Sequence, residues 1–158
     1  MAKPAYTICS RSKAEDRETN ALSLFEIVER VEIRALGKLN ESTTSTDVPR
    51  SFEAIVLSVW QIEEDDRGTE FDAEFWLLPP SGDGIRTELP PFKMQQDRAS
   101  FLHRIMVRLH GLPPLNQGGN WLMETRIRRS GSVGEWIKQS YPIIIDLAEG
   151  YLNAIKNG

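Results

Sequence analysis

The stretch SFEAIVLSVWQIEE, residues 51–64, decides the fold class. Phe52, Ala54, Val56, Trp60 and Ile62 fall on one side of an extended chain, and Ile55, Leu57 and Val59 on the other, because strand side chains alternate with a period of two. β-branched and aromatic residues fill the run, and both faces are apolar. A strand of this kind belongs in the middle of a sheet or beneath a covering segment.

Reading outward, the same short alternation recurs between turn signals. After EEDDRG, the segment TEFDAEFWLLPP (69–80) alternates Phe71, Ala73, Phe75 and Leu77 with Asp72, Glu74 and Trp76. It reads as the return strand of a hairpin, ended by Pro79, Pro80 and the glycines of SGDG. IRTELPPFKM (85–94) reads as a proline-interrupted edge strand, and EWIKQSYPIIIDL (135–147) as a final strand in which Pro142 points to an edge or a bulge. AYTICSRS (5–12) is a first strand, with Cys9 as a small apolar residue. NALSLFEIVERVEIRAL (20–36) satisfies both the strand and the helix period; its Phe, Ile and Val favour a strand, and its Glu and Arg keep a helix open. NESTTSTDVPRS (40–51) is a polar loop. In DLAEGYLNAIKNG the capping-box spacing of Asp146 and Glu149, with an apolar stripe of Leu147, Tyr151, Ala154 and Ile155, predicts a short helix over 146–157. The expected fold is all-β, a single antiparallel sandwich domain of about seven or eight strands with a short C-terminal helix.

With 158 residues the chain can bury a full core without metal or disulfide staples. A lone cysteine and an N-terminal MAKPAYTICS without basic or apolar leader regions make a soluble, cytoplasmic location the expectation, and no apolar run approaches the roughly 20 residues of a spanning helix. A net charge of −4 disfavours nucleic acid as a partner.

The most suggestive constellation joins FLHRIMVRLH (101–110) to NWLMETRIRR (120–129) across residues 110–120. Paired as a hairpin, Phe101, His103, Ile105, Val107 and Leu109 share an apolar face with Trp121, Met123, Thr125 and Ile127. Arg104, Arg108, Arg126 and Arg128 then gather on the other face, relieved only by Glu124. Such a cluster suits the carboxylates or phosphates of a partner, although a solvated face whose charges resist aggregation is its plainer reading. Within the connecting loop, Leu112 and Leu115 either fold back onto the core or form an apolar tip that binds a partner. Glu63, Glu64, Asp65 and Asp66, joined by Asp83, would offer oxygen ligands to calcium if their loops met. Their spacing is not that of a regular calcium loop, and a solvated hairpin tip explains them more simply.

His103 and His110 are the only histidines, and with Cys9 they make thin material for a triad or a zinc site; His103 reads as a structural residue and His110 as a loop residue. No GxSxG, HExxH, phosphate-binding or dinucleotide motif is present, so no catalytic residue and no cofactor is expected. Trp60 and Trp121 belong to apolar faces, whereas Trp76 and Trp136 lie opposite the better face of their runs and either cover the outer sheet or anchor a partner.

In order, AYTICSRSKAED, NALSLFEIVERV, FEAIVLSVWQ, FDAEFWLLPPSGDG, GNWLMETRIRR and YPIIIDL resemble a family of small bacterial proteins of unassigned function expected to form a β-sandwich. The resemblance runs to about Leu147 and rests on hydrophobic spacing and short phrases. It implies an immunoglobulin-like or C2-like outline and brings no established active residues. LGKLNESTTSTDVP and the terminal helix depart from the pattern. Together these readings favour a non-catalytic interaction module, binding another protein or a second copy of itself. The alternative is a C2-like, cation-dependent ligand- or lipid-binding domain built on residues 63–66.

Overall fold

The run at residues 51–64 is strand β4, Glu53–Gln61, and it lies in the middle of a sheet, between β1 (Lys3–Glu15) and β7 (Leu102–His110). The computed structural model describes residues 2–15, 22–33, 52–61, 63–93, 102–112, 115, 117–149 and 151. The remaining strands are β2 (Leu22–Ile27), β3 (Arg30–Ile33), β5 (Glu70–Leu78), β6 (Ile85–Lys93), β8 (Gly119–Arg129) and β9 (Ile137–Leu147). They form a four-stranded sheet, β2-β1-β4-β7, and a five-stranded sheet, β3-β9-β8-β5-β6. The fold is all-β, with nine strands among the described residues rather than seven or eight.

The two sheets share their core. Cys9, Ala54 and Val56 of the first sheet cluster with Phe75, Leu77, Trp121, Met123 and Ile143 of the second. Toward the other end Trp60 meets Phe71, Ala73 and Ile127. Between these two apolar clusters runs a band of buried polar side chains. Gln139 Nε2 donates to the Thr7 hydroxyl at 2.6 Å and to the Tyr6 carbonyl. Thr7 and Ser58 hydroxyls are 3.1 Å apart, and Ser58 and Thr125 hydroxyls 2.8 Å. β1, β4, β8 and β9 each contribute one residue to this band, which ties the sheets together at one register.

Several expected pairings are replaced by crossings between the sheets. Of the segment at 20–36, the described residues 22–33 are extended but break at Val28 and Glu29: β2 pairs with β1, and β3 joins the second sheet beside β9. Glu26 with φ 54° and the bond from Val28 N to the Cys9 carbonyl (2.9 Å) mark that corner. The β3–β9 pairing is parallel, so the second sheet is mixed rather than wholly antiparallel. β5 is not the return strand of β4; it pairs with β6 and β8, and residues 63–69 carry the chain across. The proline-bearing β6 is an edge strand, as its sequence implies. β9 is an inner strand, yet β3 covers only Ile144–Leu147, so among the described residues Pro142 sits where one side of β9 has no ladder to supply.

Residues 110–120 do not close a hairpin. β7 pairs with β4 and β8 with β5 and β9, so the connection spans the two sheets. Its two leucines fold inward, with Leu112 4 % and Leu115 1 % exposed, and the Leu115 amide donates to the Tyr151 hydroxyl at 3.2 Å. The apolar-tip reading is therefore replaced by a core role. Gly118 is required because a Cβ there would stand 2.8 Å from the Ile145 carbonyl oxygen. The expected helix over 146–157 does not begin at Asp146: Asp146 and Leu147 close β9 opposite Glu32 and Ile33, and the Asp146 carboxylate accepts from Arg30 instead of capping. Residues 152–157 of that helix, and the loop at 40–51, lie outside the described residues.

Two stability measurements test this core. Ser58→Ala leaves the Thr125 hydroxyl buried without its partner, an expected loss of about 1–3 kcal/mol. Adding Thr125→Val removes that orphan, so the double variant should lose less than the sum of the single changes in urea denaturation. Strictly additive losses would show that the two hydroxyls are not coupled. Leu115→Ala is expected to cost about 2–5 kcal/mol, and a loss below about 0.5 kcal/mol, the range of a surface change, would contradict its core placement.

Candidate basic cleft at the parting of two strands

The four arginines expected on one face are divided between two. Arg104 and Arg108 project from β7 of the first sheet, and Arg126 and Arg128 from β8 of the second. The physical reason is the crossing at 110–120, which sends β7 and β8 to different sheets.

On the second sheet the arginines are already matched. The register sets Asp72 against Arg128, Glu74 against Arg126 and Trp76 against Glu124. Arg126 donates to Glu124 at 2.5 Å and stacks over the Trp76 ring at 4.2 Å. Arg128 reaches Asp72 at 3.3 Å and stacks over Trp136 at 4.4 Å. Glu74 accepts from Arg86 (2.5 Å) and from Trp76 Nε1 (2.8 Å), and Glu124 also accepts from Ser140. Under these stacked planar groups Glu74 and Glu124 are only 4 % and 7 % exposed although they lie on the outer face. Trp76 and Trp136 thus cover the outer sheet by holding arginines.

The first sheet offers a different arrangement. β1 pairs with β4 only as far as Ser10 opposite Ile55, then continues with β2 to Glu15 opposite Leu22. β4 meanwhile stays with β7 out to Glu53 opposite His110. Where β1 parts from β4 a cleft of about 290 Å³ opens, bordered by Arg11, Lys13, Glu53, Ile55, Arg108 and His110. Lys13 is engaged with Glu15 at 3.3 Å, and His110 Nδ1 lies 3.9 Å from Glu53. Among the described residues neither Arg11 nor Arg108 has an ion-pair partner. The cleft therefore carries at its border two guanidinium groups, each of a kind suited to a carboxylate or phosphate. Of its borders only Arg108 was singled out for an anion site in the sequence. The signal for Arg11 and Lys13 was their position: they continue the inward parity of Thr7 and Cys9, where a core strand would carry apolar residues.

The acidic residues do not assemble. Residues 63–69 enter β5 and Asp83 follows its far end, and nine extended residues separate the two by about 30 Å. Asp66 is fully buried and accepts from Arg129 at 2.7 Å, while Glu63 pairs with Lys3 at 2.5 Å. Beside that ammonium the Glu63 carboxyl is held down at about 2. Glu64, Asp65 and Asp66 form a single 3₁₀ turn. No group of three or more His, Cys, Asp or Glu suited to a metal occurs among the described residues. Cys9 is enclosed, and burial pushes its thiol up to about 11, which removes thiolate chemistry at neutral pH. His103 stacks on Phe92 at 4.5 Å, and its burial lowers its pKa.

No protein-family model matches this chain, and no curated protein matches it. No helix among the described residues is long and apolar enough to cross a membrane.

The buried imidazole makes stability depend on pH. Because His103 titrates below its ordinary value of 6.5 when folded, the unfolded chain binds the proton more tightly, so stability is complete above that value and falls as pH drops through it. His103→Phe keeps the ring stack and should flatten this part of the profile, read as urea midpoints at about pH 7.5 and 5.5. Equal slopes in both proteins would contradict it.

Proposed function

We propose that this chain is a non-catalytic binding module, a two-sheet sandwich whose cleft between β1 and β7 takes an anionic group, carboxylate or phosphate, presented by a partner. The observation that carries the reading is the position of Arg11 and Arg108, two guanidinium groups without an ion-pair partner among the described residues, at the border of one cleft. On the opposite sheet Arg30, Arg86, Arg126, Arg128 and Arg129 are each bound to a carboxylate, and Arg126 and Arg128 are also stacked on tryptophans. Unmatched arginines at the border of a concavity are suited to recognising anions, whereas matched ones hold a surface together.

Calorimetric titration with pyrophosphate and with a short oligoglutamate tests the reading and tells the two ligand chemistries apart. At least one should bind saturably, and Arg11→Glu with Arg108→Glu should weaken it by about tenfold or more, the scale of losing two charge-assisted contacts. Lys138→Glu, on the far sheet, should leave binding unchanged. Absence of saturable heat with both probes, or equal binding by the cleft variant, would refute the proposal.

A further inference from the structure

Among the described residues four strands end the two sheets, and three of them carry features that block the addition of another strand. β2 has six residues and a positive φ at Glu26. β3 has four residues. β6 carries Pro90 and Pro91 and pairs with β5 through a register shift between Phe71 and Ala73. Short edges, prolines and bulges are the usual means of preventing edge-to-edge association. β7 has none of them. It is outermost in its sheet among the described residues, has nine residues without proline, and keeps one register with β4 from Glu53–His110 to Gln61–Leu102.

The side chains at this edge are ordered as well. Arg104, Met106 and Arg108 alternate outward and are exposed, Met106 by 42 %, while Ile105, Val107 and Leu109 turn toward the core. Beside Met106 lies Leu57 of β4, with Ile8 of β1 beyond it, so an apolar row runs inward from the point between the two arginines. We propose that β7 accepts an extended peptide as a fifth strand of the first sheet, and that the peptide carries the pattern acidic–x–apolar–x–acidic. In an antiparallel pairing that places the acidic residues opposite Arg104 and Arg108 and the apolar one opposite Met106.

A second copy of this chain fits poorly. The two-fold register that pairs all nine residues centres on Met106 and sets Arg104 against Arg108 of the second copy at two places, where like charges directly opposite are destabilising. Charge complementarity thus selects an acidic partner strand. This inference shares Arg108 with the anion cleft and otherwise stands apart from it.

The test uses the full chain and a nine-residue blocked peptide, Thr-Val-Glu-Thr-Ile-Thr-Glu-Val-Thr. Two controls accompany it, one with both Glu replaced by Lys and one with the same composition but adjacent glutamates. Fluorescence anisotropy should show saturable binding at least tenfold tighter than either control, and Arg104→Glu with Arg108→Glu should reverse the preference toward the Lys peptide. Amide NMR shifts on titration should centre on Leu102–His110. Equal binding of the adjacent-glutamate control, shifts confined to Arg11–Lys13, or no binding at millimolar peptide would overturn strand addition. The Arg11→Glu variant separates the two readings: it should lose pyrophosphate or oligoglutamate and keep the patterned peptide.

Discussion

Everything in this structure is referred to the hydrogen-bonded band Gln139–Thr7–Ser58–Thr125, which crosses the interior from β9 through β1 and β4 to β8. Apolar contacts alone would let two sheets slide past one another, because they are not directional. A donor and acceptor buried without each other cost about 1–3 kcal/mol, so the band penalises any other sheet alignment. Its members are at most 9 % exposed and divide the apolar interior into two clusters. With the alignment set there, the inward parity of β8 is fixed by Thr125, and its outward parity places Arg126 and Arg128 against Glu74 and Asp72 of β5.

The two outer faces that result are unlike. The five-stranded sheet ends in planar groups stacked over carboxylates, with Arg86, Arg126 and Arg128 each met by a carboxylate. The four-stranded sheet carries exposed Tyr6, Phe25, Ile27, Leu102 and Met106 together with the basic residues of its rim. A face that has satisfied its own charges gains little from a partner, since binding would break pairs before making new ones. The first sheet, with exposed apolar side chains and with Arg11 and Arg108 lacking ion-pair partners among the described residues, has contacts still to make.

Much of this was legible in the residues. Alternation gave the inner rows of β4, β7 and β8 and the burial of Trp60 and Trp121, because parity is a local property, and the prolines of β6 marked it as an edge. Pairing is not local. β4 and β5 read as a hairpin, but EEDDRG turns the chain to the other sheet, where buried Asp66 is held by Arg129. β7 and β8 read likewise, and the crossing between them separated Arg104 from Arg126 and drew Leu112 and Leu115 into the core. Asp72, Glu74 and Trp76 were visible as an outward row, yet their match to Arg126 and Arg128 depended on knowing that β5 neighbours β8. The cleft was illegible for the same reason: it exists because β1 leaves β4 after Ser10, a fact of pairing rather than of composition.

The chain carries 23 acidic against 19 basic residues, and that excess bears on how a basic cleft can work. Its overall field does not draw polyanions from a distance, so electrostatic steering of encounter is weak. Over about 8 Å at physiological ionic strength the remaining charges are screened. What a ligand would meet in the cleft is consequently set by Arg11, Lys13, Arg108 and His110, with Glu53 as the one acid on the border among the described residues. Such a site discriminates after contact rather than before it. On the proposed function it would favour anions held in place by neighbouring apolar or backbone contacts over mobile polyanions, and the ordered edge of β7 lies beside it.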